Sequence, residues 1–453
     1  MSEWKNMRYI VATSRAPLSH DYIGGVEKIR KNVGGVAVAL ERAMRLHGGT
    51  WICWGDGNLD YRYPEESLNG YRIQRIFLTP REKKGFYDDY ANGTLWPLFH
   101  YFRERIKHSH NGFQMYYEVN RKFAEHIMES AAHDDMIWLH DYQLAMVPKI
   151  LREMEYRGKI VFTWHIPWVA GEFYSILPES QQILESLNSC DMVTFHTAGY
   201  AKNFRDCVSG ILKARVYPVI KSVPLGIDTS MYSSFKGGNE ANKPFSDQKM
   251  IFSVDRLDYS KGLINRVFAI EELLRRHPEL RRKFVYLMVV NPSRTSISEY
   301  LNMKRELETA IGRINGLHSD LKWRPIVYIY RKISDSSLIR YYRQADVALI
   351  TPLIDGLNLV AKEFIAASDH GVLILSSFAG AAKEMDGAII VNPNDIGEVA
   401  ESIYQSLNMP EAEIMSRLKK MKGIVNRHNL SWWIRTINMS LRYLNEYSSI
   451  GGN

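Results

Sequence analysis

The chain has few cysteines: Cys53, Cys190 and Cys207 are the three among 453 residues. Their odd number and the lack of CxxC spacing exclude a disulfide framework and a cysteine-built zinc site, and fit a reducing compartment. No apolar run approaches about 18 residues, so no membrane-spanning helix is expected. The opening "MSEWKNMRYIVATSR" has no extended apolar stretch of the kind that marks a secretory leader. The expected location is therefore cytoplasmic, with no membrane partner. No arginine-rich block or nucleic-acid motif occurs, which argues against nucleic acid as a partner. No set of His, Cys, Asp and Glu has metal-ligand spacing, so no metal and no cofactor are expected.

What is present is ample core material. Hydrophobic residues make up 45% of the chain, and the length suits two or three domains at roughly 150 residues each. Lys and Arg number 58 against 50 Asp and Glu, a formal net charge of +8. That balance suits an anionic ligand and equally a solvated basic surface. Short apolar runs recur between helical patterns. "YIVAT" (9–13), "MIWL" (136–139), "IVFTW" (160–164) and "MVTFH" (192–196) lie in the first half. "MIFSV" (250–254), "FVYLMVV" (284–290), "IVYIY" (326–330), "DVALI" (346–350) and "GVLIL" (371–375) lie in the second. They are continuous rather than alternating, as strands buried on both faces of a parallel sheet are. In "VALERAMRLHGG", Leu40, Ala43 and Met44 form an apolar helical stripe and Gly48 is a stop. The βαβα order predicts an α/β fold of two Rossmann-like, doubly wound parallel-sheet domains facing a cleft, with ligands beyond the strand carboxyl ends. The polar stretch at 233–249 separates the two strand groups. It predicts domains over 1–230 and 231–435, and a last helix over 436–453 returning to the N-terminal domain.

Several stretches could carry chemistry. "LIDGLNLVAKE" (353–363) follows a buried strand and opens a helix near Leu359. Asp355 could accept hydrogen bonds from sugar hydroxyls, and Glu363, one turn into the helix, both hydroxyls of a ribose. Backbone amides at the helix start attract anions. An ordinary Asp-Gly turn with a solvated glutamate is the plainer account. "SVDRLDYSKGL" (253–263) presents Arg256 and Lys261 after a strand, where two cations can neutralise a diphosphate. Surface ion pairs with Asp255 and Asp258 are the alternative. "NVGGVAVAL" puts Gly34 and Gly35 at a helix start, with Gly24-Gly25 as a competing pair. Asp141 in "WLHDYQL" and His165 in "FTWHIPW" each follow a strand. The aromatic segment "FYDDYANGTLWPLFHY" (86–101) suits core packing or stacking on sugar faces.

In this order, "TSRAP", "NVGGVAVAL", "WICWGDG", "LWPLFHY", "LHDYQL", "HIPW", "RLDYSKGL", "SRTSISEY", "TPLIDGLNLVAKEF" and "SSFAGAAKEMDGAIIVNP" closely resemble the trehalose-6-phosphate synthases. These are retaining glycosyltransferases of family 20 with the GT-B fold. The resemblance implies transfer of glucose from a nucleotide sugar, usually UDP-glucose, to glucose 6-phosphate. It implies that Arg256 and Lys261 bind the donor diphosphate and that Gly34 and Gly35 lie beside the phosphates. Asp355, Gly356, Leu357 and Asn358 would hold the transferred sugar, and Leu359, Val360 and Glu363 would complete the donor site. His165 would sit near the sugar C6 hydroxyl, making His165, Arg256, Lys261 and Asp355 the catalytic set. Arg15, Tyr87 and Arg294 would grip the acceptor phosphate, and Trp54, Trp96, Asp141 and Tyr142 would line the acceptor sugar. A homo-oligomer is compatible with this reading.

The chain departs from the family pattern on the acceptor side. "VAGEF" follows "HIPW" where the family carries a proline and Ser/Thr before the glutamate. Ala91-Asn92 replaces a serine-asparagine pair, and Thr13-Ser14-Arg15 a Ser-Asn-Arg. Three functions are therefore weighed. One is trehalose 6-phosphate synthesis. The second is a related transferase with another phosphorylated acceptor, such as a glucosylglycerol-phosphate synthase or a cyclitol-phosphate pseudoglycosyltransferase. The third is a non-catalytic regulatory subunit.

Overall fold

Each continuous apolar run named above forms a strand in the computed structural model, which describes residues 8–31, 35–133, 135–233, 245, 247–293 and 298–450. Most of the expected linker, 234–244 and 246, lies outside the described residues, as do Gly34 and Arg294. The chain divides into two compact units: Met1–Pro224 with Trp433–Asn453, and Leu225–Trp432.

The first unit contains, in chain order, β1 (Tyr9–Arg15), β2 (Leu18–Ile23), β3 (Val26–Lys31), β4 (Thr50–Trp54), β5 (Glu65–Leu68), β6 (Tyr71–Ile76), β7 (Met136–His140), β8 (Ile160–Thr163), β9 (Met192–Phe195) and β10 (Val219–Ser222). Among the described residues its main sheet runs β10-β9-β8-β7-β1-β4-β6-β5. All pairs are parallel except β5 against β6. Strand order reverses direction at β1, so the β1/β7 junction is the topological switch point, where the carboxyl ends splay and leave a ligand crevice. The segment from Trp433 packs here because it is apolar on one face: Trp433 stacks on Trp138 at 5.1 Å, and the Tyr9 hydroxyl donates to Asn438 Oδ1 at 3.0 Å.

The second unit contains β11 (Lys249–Arg256), β12 (Phe284–Asn291), β13 (Ile326–Tyr330), β14 (Val347–Ile350), β15 (Val372–Ser376) and β16 (Ile389–Val391). Its parallel sheet runs β13-β12-β11-β14-β15-β16, with the switch point between β11 and β14. The helix Leu263–Arg276 and the helix Ile396–Leu407 bury Val267, Ile270, Leu273 and Ile403 against one face of this sheet. The result is the expected fold class, α/β with a parallel sheet in each of two units.

Three local features differ from the sequence expectation. Gly24 and Gly25 both take positive φ, 63° and 85°, and form the two-residue turn between β2 and β3; a turn needing φ > 0 at both positions suits a Gly-Gly pair. The glycine pair that competed with Gly34-Gly35 is thus a hairpin turn. The aromatic segment is largely a π-helix, Lys84–Leu95, running into a short α-helix, Trp96–Phe99, and it buries Phe86, Tyr90 and Leu95. β6 carries alternating burial, as "YRIQRI" dictates, and was hidden from a search for continuous runs.

Candidate active site

In the second unit, most of the expected donor residues meet at the β11/β14 switch point. Arg256 ends β11, exposed. The next turn is built by Asp258, whose buried carboxylate accepts from Ser260 N at 3.0 Å and Ser260 Oγ at 2.9 Å. Gly262 follows at φ +64°, and a Cβ there would stand 2.6 Å from the Thr351 carbonyl oxygen. Glycine is therefore required for the turn to lie against the end of β14. The fully buried Arg266 fastens the arrangement. It pairs with Asp255 at 2.5 Å, donates through Nε to Thr351 Oγ1 at 3.1 Å and through Nη2 to the Lys261 carbonyl at 2.8 Å. Leu353 N in turn donates to the Ser260 carbonyl at 2.8 Å.

This brings Lys261 to Asp355: Nζ donates to Oδ2. Oδ2 also accepts from Asn358 Nδ2 at 3.1 Å, and Oδ1 from Leu357 N at 3.3 Å. Asn358 sits at φ +74° and caps the helix Leu359–Ala367 by accepting from Ala361 N at 3.3 Å. A side-chain amide that tolerates the left-handed region and satisfies an orphan helix donor explains asparagine here. Leu359 and Val360 open the helix, half-buried. Glu363 follows, accepting from the Tyr342 hydroxyl at 2.9 Å. Burial raises its carboxyl above the usual range, the Tyr342 and Tyr232 hydroxyls oppose that, and Asp335 adds to it.

In the first unit a second group gathers around the ends of β1, β4 and β7. The Arg15 guanidinium lies over the Tyr87 ring at 4.8 Å and near Trp54 at 5.9 Å, with Asp56 at 3.6 Å. Trp96 packs against Tyr142 at 5.8 Å. Tyr142 is fully buried and donates to Asn92 Oδ1 at 2.9 Å, while Asn92 Nδ2 donates to the Tyr87 carbonyl at 2.8 Å. Asp141, at φ +71°, accepts through Oδ1 from Tyr142 N at 3.0 Å and His165 N at 3.3 Å. Gly35 is the first residue of the helix Gly35–His47.

His165 has an environment the sequence did not suggest. Its Nε2 lies 3.1 Å from His140 Nδ1, and its Nδ1 3.2 Å from His196 Nε2. The three imidazoles stand at the carboxyl ends of β7, β8 and β9, which are neighbours in the sheet. Burial lowers the pKa of both His140 and His165 well below the ordinary imidazole value, His165 adding to the effect on His140 and His196 to that on His165. From sequence, Asp258 and Asn92 stand only as an ion-pair partner and a departure, without these roles, and Arg266, Tyr232 and Tyr342 are missed. "DYS", an Asx-turn signature, could have flagged Asp258; the rest are long-range partners with no local signal.

The sequence profile of glycosyltransferase family 20 matches residues 10–443. Among similar proteins, a bifunctional trehalose-6-phosphate synthase/phosphatase of Thermoproteus tenax is 38% identical over 94% of this chain. The chain spans 62% of that relative's length. A Burkholderia xenovorans α,α-trehalose-phosphate synthase (UDP-forming) in complex with glucose-6-phosphate superposes with a TM-score of 0.88 at 32% identity, covering 96% of this chain and 100% of that one. An E. coli structure bound with UDP-2-fluoro glucose gives a TM-score of 0.88 at 31% identity, covering 96% and 98%.

Proposed function

Because the chain belongs to glycosyltransferase family 20, we propose that it transfers glucose from a nucleotide sugar, UDP-glucose, to glucose 6-phosphate, forming α,α-trehalose 6-phosphate with retention. The observation that carries the reading is the Lys261–Asp355 ion pair at a topological switch point, with Arg256 at the end of β11 and Glu363 in the helix that follows β14, in a chain whose relatives include solved structures with each kind of substrate.

In this proposal the second unit holds the nucleotide sugar. Arg256 and Lys261 neutralise the diphosphate and stabilise the charge that grows on it as the glycosidic bond breaks. Glu363 receives the ribose hydroxyls, and Asp355 with the backbone from Gly356 to Asn358 receives the sugar. Asp355 is a poor candidate for a covalent nucleophile, because both of its oxygens are engaged by Lys261, Asn358 and Leu357. Front-face displacement fits instead: the departing diphosphate oxygen takes the proton of the attacking acceptor hydroxyl, and rate comes from positioning. The first unit holds the acceptor, its phosphate at Arg15 and Tyr87 and its sugar beside Trp54, Trp96 and Asp141. Tyr142, being fully buried, supports Trp96 and Asn92 from behind.

The departures from the family pattern bear on the acceptor. Ala91 and Val169 have no exposed surface, whereas Ala170 is exposed and Gly171, Thr13 and Ser14 are half-buried, so the departures alter packing at the first two positions and the surface at the others. The reading of glucose 6-phosphate as acceptor is supported by the relative solved with it. A cytoplasmic location belongs to the same proposal, supported by three buried, unpaired cysteines. No described helix is long and apolar enough to cross a membrane. The deciding experiment is a product assay across UDP-, GDP- and ADP-glucose against glucose 6-phosphate, glycerol 3-phosphate and a cyclitol phosphate, read by mass. Formation of a disaccharide phosphate from UDP-glucose and glucose 6-phosphate is expected. Preference for another acceptor would replace this reading.

A further inference from the structure

Glu363 is held by two phenols that come from different helices. Tyr342 lies on the helix Asp335–Gln344, and its hydroxyl donates to Glu363 Oε2 at 2.9 Å. Tyr232 lies on the short helix Ser230–Ser233, and its hydroxyl donates to the same carboxylate. All three residues belong to the second unit. Both phenols are fixed by further contacts. Tyr342 is 1% exposed and meets Phe252 of β11 edge-on at 5.7 Å and Phe364, the chain neighbour of Glu363, at 6.3 Å. Arg343 Nη2 donates to the Tyr232 carbonyl at 2.8 Å. Consecutive residues of one helix thus do both jobs: Tyr342 reaches the carboxylate, and Arg343 seats the backbone of the second phenol.

Acceptor counting shows what this leaves. A carboxylate offers about four acceptor positions, two on each oxygen. The phenols fill two. Glu363 is half-buried, so part of it stays open to a ligand, and the two remaining positions match the two hydroxyls of a ribose. The neutrality of the donors matters as well. A lysine or arginine would offset the charge that makes a carboxylate a strong acceptor, whereas a phenol holds the group and leaves the charge for the ligand. Burial first, and the Glu363 charge second, push both phenols above their usual range, so they stay protonated and donate. On Glu363 burial acts first, toward the neutral acid; Tyr342 opposes it, Asp335 adds to it and Tyr232 opposes it. A protonated Glu363 would carry a hydroxyl on one oxygen and could not accept equally from both ribose hydroxyls.

We propose that Tyr232 and Tyr342 are positioning residues that aim the two open acceptor positions of Glu363 at a nucleotide's ribose, and so make the second unit select a ribose with both hydroxyls over its 2′-deoxy counterpart. This rests on the nucleotide-sugar reading above and deepens it at the ribose. The phenols act through Glu363, so their loss should appear as lost selection between the two sugars.

Calorimetric titration of the full chain with UDP and with 2′-deoxy-UDP reads that selection without turnover. The unmodified protein should prefer UDP on the order of tenfold, the scale of one hydrogen bond to a charged group. Tyr342→Phe and Tyr232→Phe each keep the ring and remove the hydroxyl. Each should shrink the preference about threefold, a fraction of that same bond, by weakening UDP while 2′-deoxy-UDP binding stays nearly unchanged. The double variant should bind the two ligands almost equally. A merely structural role would weaken both ligands together. The pH profile is a second readout. Loss of a hydroxyl that donates to the carboxylate raises its pKa, so on acidification the preference should fade at a higher pH in Y342F than in the unmodified protein. A preference that survives both substitutions, or UDP and 2′-deoxy-UDP weakened in step, would overturn the proposal and leave the donor site standing. Should Y342F fail to fold, Y232F decides by the same ratio. If the unmodified protein binds the two nucleotides equally, Glu363 does not receive the ribose and the proposal falls with that assignment. If it binds neither, the nucleotide-sugar reading falls as well.

Discussion

Lys261 and Asp355 are 94 residues apart in sequence, and they meet as an ion pair between the turn after β11 and the loop after β14. Both side chains are mostly shielded from water, at 13% and 14% exposure, so the pair keeps more of its Coulomb attraction than a surface pair does. Lys261→Ala removes a diphosphate ligand and also leaves the Asp355 carboxylate with less compensation. Glucosyl transfer should fall by on the order of 10², the usual scale for loss of one electrostatic donor. Arg256→Ala, at the exposed end of β11, should reduce transfer similarly. Steady-state rates and urea midpoints of both variants check this; near-normal turnover in both would remove the donor assignment.

Asn358 combines a left-handed backbone with a helix cap. Asn358→Ala should lose both, roughly 2 kcal/mol when about 1 for the left-handed penalty is added to about 1 for the cap. Asn358→Gly relieves the backbone and loses only the side-chain bonds, so it should be the milder change. The order of their chemical-denaturation midpoints is the measurement, and a glycine variant less stable than the alanine one would contradict the account.

Arg15 lies over Tyr87, with the Asp56 carboxylate 3.6 Å from it. Arg15→Ala should raise KM for glucose 6-phosphate at least tenfold, about 1.4 kcal/mol of charge-assisted binding, and leave nucleotide binding nearly unchanged. Calorimetric titration with UDP and acceptor kinetics separate the two. Equal use of free glucose by the unmodified protein would end the phosphate-site proposal.

Retention makes a stereochemical prediction. The product should carry an α linkage at the donor carbon, and mass spectrometry of the protein during turnover should find no glycosyl adduct on Asp355. A β linkage by NMR would be incompatible with the mechanism.

The buried histidines predict how stability follows pH. His140 and His165 titrate well below 6.5 in the native protein and near 6.5 when unfolded. As pH falls through about 6.5, the unfolded chain binds protons that the native state refuses, so stability drops on acidification, by up to about 1.4 kcal/mol per pH unit for each group. Above that range their contribution is fully present. The urea midpoint should decline between about pH 7.5 and pH 5.5, and less steeply in His140→Asn. Equal slopes in the two proteins would refute the assignment.

The sequence by itself determined where the doubly buried strands lie, because burial on both faces demands unbroken apolar runs such as "FVYLMVV". It also marked the chemistry that follows β11 and β14, since a turn and a helix start need recognisable residues: Gly262, Asn358 and the cations beside them. β6 and the β2–β3 hairpin were less legible, being amphipathic or exposed. Only the tertiary structure decided which strands are neighbours. That choice puts Lys261 on Asp355, seats Arg266 between Asp255 and Thr351, and lines up His140, His165 and His196 across gaps of 25 and 31 residues. Periodicity is a property of a few consecutive residues, whereas sheet order is set by how whole βαβ units pack. No local pattern encodes which strand end a given side chain will face.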